Sequence, residues 1–126
     1  MVPVLAICFG ACLGALARWA LGLWLNPGSA IPWGTLAANL VGGYLIGVCV
    51  AVFQAMPELD PVWRLALVTG FLGALTTFSS FSAEVVGLLL QQRYALSLGV
   101  ASLHLLGSLA LTAVGIWSTQ QVLARL

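Results

Sequence analysis

The charged residues of this chain are so few and so widely spaced that they decide where it can lie. Only seven of 126 residues carry a formal charge, and they leave charge-free runs at 1–17, 19–57, 65–83 and 94–124. A run of about 20 apolar residues is long enough to cross the ~30 Å hydrocarbon core of a membrane. With 62% hydrophobic residues, the sequence predicts an all-α integral membrane protein rather than a water-soluble domain.

Turn-forming residues divide this apolar sequence into four spans. Gly, Pro and Asn cluster at 26–32, two acids lie between prolines at 57–61, and polar residues occupy 91–93. These cuts predict a single four-helix transmembrane domain over 1–126, with spans of about 3–25, 33–55, 62–90 and 94–121. Ala15-Leu16-Ala17 resembles a signal-peptide cleavage site, but no Lys or Arg precedes it and three spans follow, so we expect no cleavage.

The basic residues give these spans no clear orientation. If both termini are on one side, that side holds Arg64 and Arg125, while the other holds Arg93, with Arg18 toward the same end of the first span. Orientation follows an excess of Lys and Arg in short loops, so this balance predicts insertion in both directions. Oppositely inserted chains can pair as an antiparallel homodimer about a two-fold axis in the membrane plane.

Several functional classes have no signal in the sequence. There is no Gly-rich phosphate loop, no candidate catalytic triad and no basic patch for nucleic acid. The three cysteines lie within spans without metal or redox spacing, and we expect them to pack as apolar residues. We therefore predict that the chain is not an enzyme and does not bind nucleic acid.

The third span combines excess length with a dense polar cluster. As one helix from Val62 to Leu90 it would be ~43 Å long at 1.5 Å per residue, well beyond the hydrocarbon core. Its midpoint falls in GFLGALTTFSSFSAE (70–84), where glycines and β-branched threonines weaken a helix and hydroxyls can satisfy freed backbone groups. The pattern favours a break near Thr76, where free carbonyls suit a small cation and the following half-helix suits an anion.

Polar side chains in the second and fourth spans are candidates for a transport pathway. Asn39 could be a hydrogen-bonding contact between helices, or a neutral donor that lines an anion pore. His104, Ser108 and Thr112 recur at steps of four and form a polar stripe on the fourth span. Such a stripe either stabilises the structure or belongs to a water-accessible track.

Phe78 and Phe81 lie in the polar cluster, three residues apart, and so share one helical face. They could simply pack in the core of the bundle. Alternatively, their ring edges carry the positive end of the aromatic quadrupole and could help to solvate a dry anion.

Other residues bear on contacts between spans. Small residues recur at steps of four in the first two spans, which predicts close approach of helices. Arg18 and Glu84 are the only charges well inside spans, and each is costly if unpaired, so we expect both to face protein or water. A salt bridge between the two is one arrangement that would satisfy both.

Three motifs together resemble a known family. GACLGALARW (10–19), GTLAANLVGGYLIG (34–47) and TGFLGALTTFSSFSAE (69–84) are closely similar, in order, to motifs of the Fluc, or CrcB-type, fluoride channels. The similarity covers essentially the whole chain. It implies a dual-topology homodimer in the cell (inner) membrane, with two parallel pores that export fluoride passively.

The resemblance also implies roles for individual residues. The family's central, structural sodium ion would be held by the backbone carbonyls of Gly73 and Thr76. Its pore asparagine falls on Asn39, and its two pore phenylalanines fall on Phe78 and Phe81. Its hydroxyl track corresponds to the following residues: Ser108 and Thr112, with Thr77 and Ser79 nearby.

Some positions depart from the family pattern. Ala74 and Ser80 are mild changes from glycine and threonine. His104 is a larger one, because it occupies a track position where a small hydroxyl residue is expected. Since histidine titrates near neutral pH, we expect fluoride conduction to depend on pH.

Two other functions fit part of the sequence. A small dual-topology multidrug exporter would have the same size and span number, but such exporters rely on an acid in the first span, where this chain has Arg18. A non-transporting membrane scaffold subunit would explain the small-residue stripes, yet it would leave the polar cluster at 76–82 without a role.

Overall fold

The four predicted spans are present in the computed structural model, which describes residues 1–125. Helix α1 (Val2–Leu25) begins one residue before its predicted start, and α2 (Trp33–Ala55) has its predicted bounds. The third span covers Pro61–Leu90, and α6 (Tyr94–Leu123) extends two residues beyond its predicted end. All four are long and apolar enough to cross a membrane. The chain is therefore a multi-pass, all-α membrane protein, as predicted.

Short polar loops fix the helix ends. Asn26 caps α1, and its side-chain oxygen accepts a hydrogen bond from the backbone N–H of Gly34 at 2.8 Å, which ties the end of α1 to the start of α2. Gly28, at φ 73°, supplies the left-handed turn between them. Asp60 accepts from the N–H of Val62 and so caps the start of the third span.

The third span is broken where the polar cluster predicted a break. It consists of α3 (Pro61–Arg64), a π-helical segment π1 (Leu65–Leu72), α4 (Gly73–Leu75) and α5 (Phe78–Leu90). Thr76 and Thr77 separate α4 from α5 in extended conformation, with ψ of 153° and 119°. Gly73, predicted with Thr76 for the sodium site, is itself helical, at φ −61° and ψ −31°, so the break is confined to the two threonines.

The π-helical winding of π1 was not predicted. It lies against α1, where two glycines allow contact between main chains: a Cβ at Gly10 would overlap the carbonyl of Ala66, and one at Gly14 would overlap that of Phe71. The π-helix is rare, and no pattern in the sequence pointed to it.

The second close pair of helices is α2 with α6. Gly43 and Gly47 face the main chain of α6, and Gly115 faces the carbonyl of Tyr44. The predicted close approach of small-residue stripes is therefore present in both helix pairs. Between the pairs, Ala38, Leu72 and Leu75 form a small buried core beside the break.

Candidate ion site at the broken third span

A groove of about 450 Å³ runs along the break, between the third span, α2 and α6. It brings together all but one of the residues that were predicted for the pore and the sodium site: Asn39, Gly73, Thr76, Thr77, Phe78, Phe81, His104, Ser108 and Thr112. Ser79 lies outside this lining, exposed, with its hydroxyl 3.2 Å from that of Thr77. Gly42 makes room for the break, because a Cβ there would overlap the methyl group of Thr76.

Asn39 holds the broken backbone. Its Oδ1 accepts from the N–H of Thr77 at 2.7 Å, and its Nδ2 donates to the carbonyl of the same residue at 3.0 Å. One carboxamide thus satisfies both backbone groups of a residue that has left the helix, as an unwound segment at membrane depth requires.

The remaining N–H of Asn39 is also used within the chain. Asn39 Nδ2 lies 3.0 Å from Nδ1 of His104, which is 3% exposed. Because an amide nitrogen only donates, this ring nitrogen accepts. Of the two roles predicted for Asn39, the hydrogen-bonding contact between helices is present; both N–H groups that a pore donor would use are bonded to protein in this structure.

The aromatic side chains continue from His104 toward the mouth of the groove. Phe81 stacks on the His104 ring, with centroids 4.6 Å apart and planes inclined by 29°. Phe78 meets Phe81 edge to face at 5.4 Å and is itself 79% exposed. Phe81 is therefore fixed between two rings, whereas Phe78 lies at the open side of the groove.

Hydroxyls serve the backbone as well as the groove. Thr77 Oγ1 accepts from the N–H of Ser80 at 3.1 Å and so caps the start of α5. Thr112 Oγ1 lies 2.9 Å from the carbonyls of both Gly43 and Ser108, to which it donates. The Thr112 hydroxyl therefore presents lone pairs, not its proton, to the groove.

The two charges inside the spans have separate partners, so the predicted option of an Arg18–Glu84 salt bridge is wrong. Arg18 Nε donates to the carbonyl of Ala74 at 3.1 Å, and Nη1 lies 3.5 Å from Ser80 Oγ. The guanidinium thus bridges the two sides of the break, which separates α4 from α5. Its positive charge also suits the carbonyl end of the first half.

Glu84 lies in a second cavity of about 430 Å³, toward the loops, which Asn26 and Arg93 also line. Thr35 Oγ1 donates to Glu84 Oε1 at 2.6 Å, while Oε2 is buried without a hydrogen-bond partner among the described residues. The sequence did not show this pairing, although Thr35 lies four residues before Asn39 and so on the same face of α2.

The break frees the carbonyls that were predicted to bind a cation. In a continuous helix, the N–H groups of Thr77 and Ser80 would donate to the carbonyls of Gly73 and Thr76. Here the first donates to Asn39 and the second to Thr77 Oγ1. Two carbonyls without helical donors are suitable ligands for a hard cation such as sodium.

Comparison with known proteins places the chain in a family. The family model described as CrcB-like protein, Camphor Resistance (CrcB), matches residues 5–116. The chain belongs to the CrcB family. This confirms the resemblance that the three motifs predicted. Two of the motifs also contribute to the groove, since Asn39 lies in the second and the break lies in the third.

Three similar proteins match this chain over most or nearly all of their length. A protein of Albidiferax ferrireducens is 78% identical over 92% of this chain and 89% of its own. One of Variovorax paradoxus is 64% identical over 98% of this chain and 99% of its own, and one of Paracidovorax citrulli is 59% identical over 99% of each. All three are named fluoride-specific ion channel FluC, and none is named as an enzyme.

Proposed function

We propose that the protein is a fluoride-selective channel that exports fluoride passively across the cytoplasmic membrane and so lowers its toxicity. The observation that carries the proposal is the composition of the groove: it combines amide, imidazole, hydroxyl and aromatic groups, and no Asp, Glu, Lys or Arg is among its lining residues. The names of the relatives support fluoride as the ion.

Such a wall suits the physics of fluoride. The ion is small and strongly hydrated, so a pore must replace its water with converging donors and still release it. Neutral donors and ring edges, such as those of Phe78 and Phe81, can solvate an anion without the fixed cation that would trap it. Ion movement then follows the electrochemical gradient, with no coupled ion.

The working unit in this proposal is an antiparallel homodimer with two pores. The balance of basic residues favours both orientations, and a partner would cover the open side of the groove, where Phe78 is largely exposed. Lipid cannot serve there, because hydrocarbon offers no hydrogen bonds to a permeating ion.

A structural sodium ion at the centre of the dimer is a further part of the proposal. The freed carbonyls of Gly73 and Thr76 would hold it. In each subunit, the ion would offset the negative C-terminal end of the half of the third span that precedes the break. Replacing sodium by N-methylglucamine should lower the thermal stability of the purified dimer. Equal unfolding temperatures in the two cations would contradict a sodium site.

Fluoride efflux from liposomes tests the proposed function. The reconstituted protein should release fluoride, followed with an electrode, and release far less chloride. Phe78→Ile and Phe81→Ile should each cut the flux sharply, because the substitutions remove the ring edges but keep a large apolar side chain. Phe9→Ile is the matched control, since Phe9 is exposed on α1 and outside the groove. Well-folded protein without fluoride flux would defeat the channel.

The same assay separates the two rival functions. A multidrug exporter should move organic cations in exchange for protons, yet the groove holds no acid and Glu84 lies in the other cavity. A scaffold subunit should move neither fluoride nor organic cations.

A further inference from the structure

One chain of hydrogen bonds leads from the break to His104 and runs in a single direction. The N–H of Thr77 donates to Asn39 Oδ1, and Asn39 Nδ2 donates to His104 Nδ1. The orientation of the amide is fixed, because the N–H of Thr77 can only donate and its carbonyl, also bonded to Asn39, can only accept. His104 Nδ1 is therefore unprotonated, and the proton of the neutral ring is on Nε2.

The last donor in this series of hydrogen bonds has no acceptor. Nε2 of His104 is buried and has no hydrogen-bond partner among the described residues. A buried donor of this kind is costly and uncommon in native proteins. Each link also polarises the next in the same sense, so the Nε2–H is a stronger donor than that of an isolated imidazole.

What the Nε2–H lacks is an acceptor, which excludes a metal cation as its ligand. The His104 ring forms part of the groove wall, and the Phe81 ring stacked on it covers one of its faces. The groove lining offers no carboxylate. An acceptor must therefore come from outside the described chain, and in a groove with ring edges and no charged residue in its lining a small, hard anion meets that need.

We propose that neutral His104, held by Asn39 in the tautomer protonated on Nε2, donates through Nε2–H to the permeating anion. This inference rests on the proposed function and deepens it. It moves the donor role from Asn39, whose N–H groups are already bonded, to the residue that Asn39 orients. His104 is then a specificity-determining residue rather than a substitute for a hydroxyl.

The tautomer and its ligand can be read directly, because His104 is the only histidine of the chain. Protein labelled with ¹⁵N-histidine should show one ring system by NMR, protonated on Nε2 and unprotonated on Nδ1. Sodium fluoride should shift the Nε2–H resonance, and sodium chloride should leave it in place. A proton on Nδ1, or equal responses to the two salts as for a site that holds only water, would overturn the proposal.

Flux measurements test the role in conduction. His104→Phe keeps a ring against Phe81 but removes the donor, and it should lower fluoride efflux by at least about tenfold, as for the loss of one hydrogen bond to a charged ligand. His104→Gln restores an N–H donor and an acceptor, and should recover most of that difference. Conduction by His104→Phe at the wild-type rate would overturn the proposal.

The channel function and the role of His104 can be tested separately. If wild-type protein moves no fluoride and its Nε2–H does not respond to the ion, the channel function and the His104 proposal both fall. If wild-type protein conducts but the ring does not respond, only the role of His104 falls. Should His104→Phe not assemble, the NMR titration of the wild type alone decides.

Discussion

Asn39 uses every hydrogen-bonding group of its carboxamide inside the chain. It holds both backbone groups of Thr77 and donates to His104. An amide is the only side-chain group that can accept on one side and donate twice on the other. The residue is therefore tied to the break and to the ring at the same time.

Replacing Asn39 by Asp should break this arrangement with almost no change in shape. One carboxylate oxygen could still accept from Thr77, but the other would face a carbonyl and an unprotonated ring nitrogen. We expect a loss of about 1–3 kcal/mol in stability, measured by thermal unfolding, and a proton on Nδ1 of His104 by ¹⁵N NMR.

The control is Gln54→Glu, the same amide-to-acid change at an exposed position of α2, which should cost little. An Asn39→Asp protein as stable as this control, with its histidine unchanged, would contradict the network.

Protonation of His104 should disturb the same network. When His104 takes a second proton both ring nitrogens become donors, so the bond from Asn39 is lost and a fixed cation appears in the groove. Asn39 and Phe81, which bond to and stack on the ring, do not titrate, and Arg18 and Glu84 are bonded elsewhere.

Fluoride efflux should therefore fall as the pH drops through the range in which His104 takes up its second proton. The measurement is efflux between about pH 5.5 and about 8, after subtraction of the leak of protein-free liposomes. His104→Gln should show a flat profile. Parallel profiles for the two proteins would remove the histidine as the cause.

At the scale of helices, the start of α5 depends on one hydroxyl. Thr77 caps the N–H of Ser80, and loss of such a cap typically costs ~1 kcal/mol. Thr77→Ala should lower the thermal stability by about that amount, while Thr77→Ser should keep it. If Ala and Ser have the same effect, the cap does not stabilise the second half-helix.

Contact between α2 and α6 should be sensitive to any side chain added at its glycines. A Cβ at Gly47 would overlap the carbonyl of Thr112, whereas one at Gly99 would meet nothing within 4 Å. Because the obstacle is main chain, it cannot rotate away. Gly47→Ala should therefore reduce the yield of folded protein and the fluoride flux, both compared with Gly99→Ala. Equal behaviour of the two variants would show that the helices can separate without cost.

How far the sequence could predict these elements depended on the range of the interactions. Local composition located the break, because glycines, β-branched threonines and hydroxyls act within a few residues. It could not show that Arg18 binds the carbonyl of Ala74 rather than Glu84, since that contact spans 56 positions and depends on how α1 packs. The commitment of Asn39 to Thr77 was hidden for the same reason, and no pattern in the sequence pointed to the π1 winding.

For the whole molecule, the balance of basic residues predicts chains in both orientations. In a protein without its native cysteines, Ser29→Cys in the α1–α2 loop should react about half with an impermeant maleimide in intact cells, and fully after permeabilisation. Complete or absent labelling before permeabilisation would mean a single orientation.

Biased chains provide a functional version of the same test. Glu58→Lys should favour one orientation and Ala30→Lys the other, because they add charge to loops on opposite sides. Each variant alone should give little fluoride flux, and the two expressed together should restore it. Full flux from either variant alone would contradict the antiparallel dimer.

The glycine contacts between α2 and α6 also limit how far two walls of the groove can move apart. Asn39 and His104 lie on these two helices, which meet main chain to main chain at Gly43, Gly47 and Gly115. No side chain lies between the helices there to change rotamer and let them spread. The separation of these two walls is thus set by main-chain contact and cannot change with a rotamer. Any adjustment of the groove's width to the ion would then come from its other sides, the third span and the open face at Phe78.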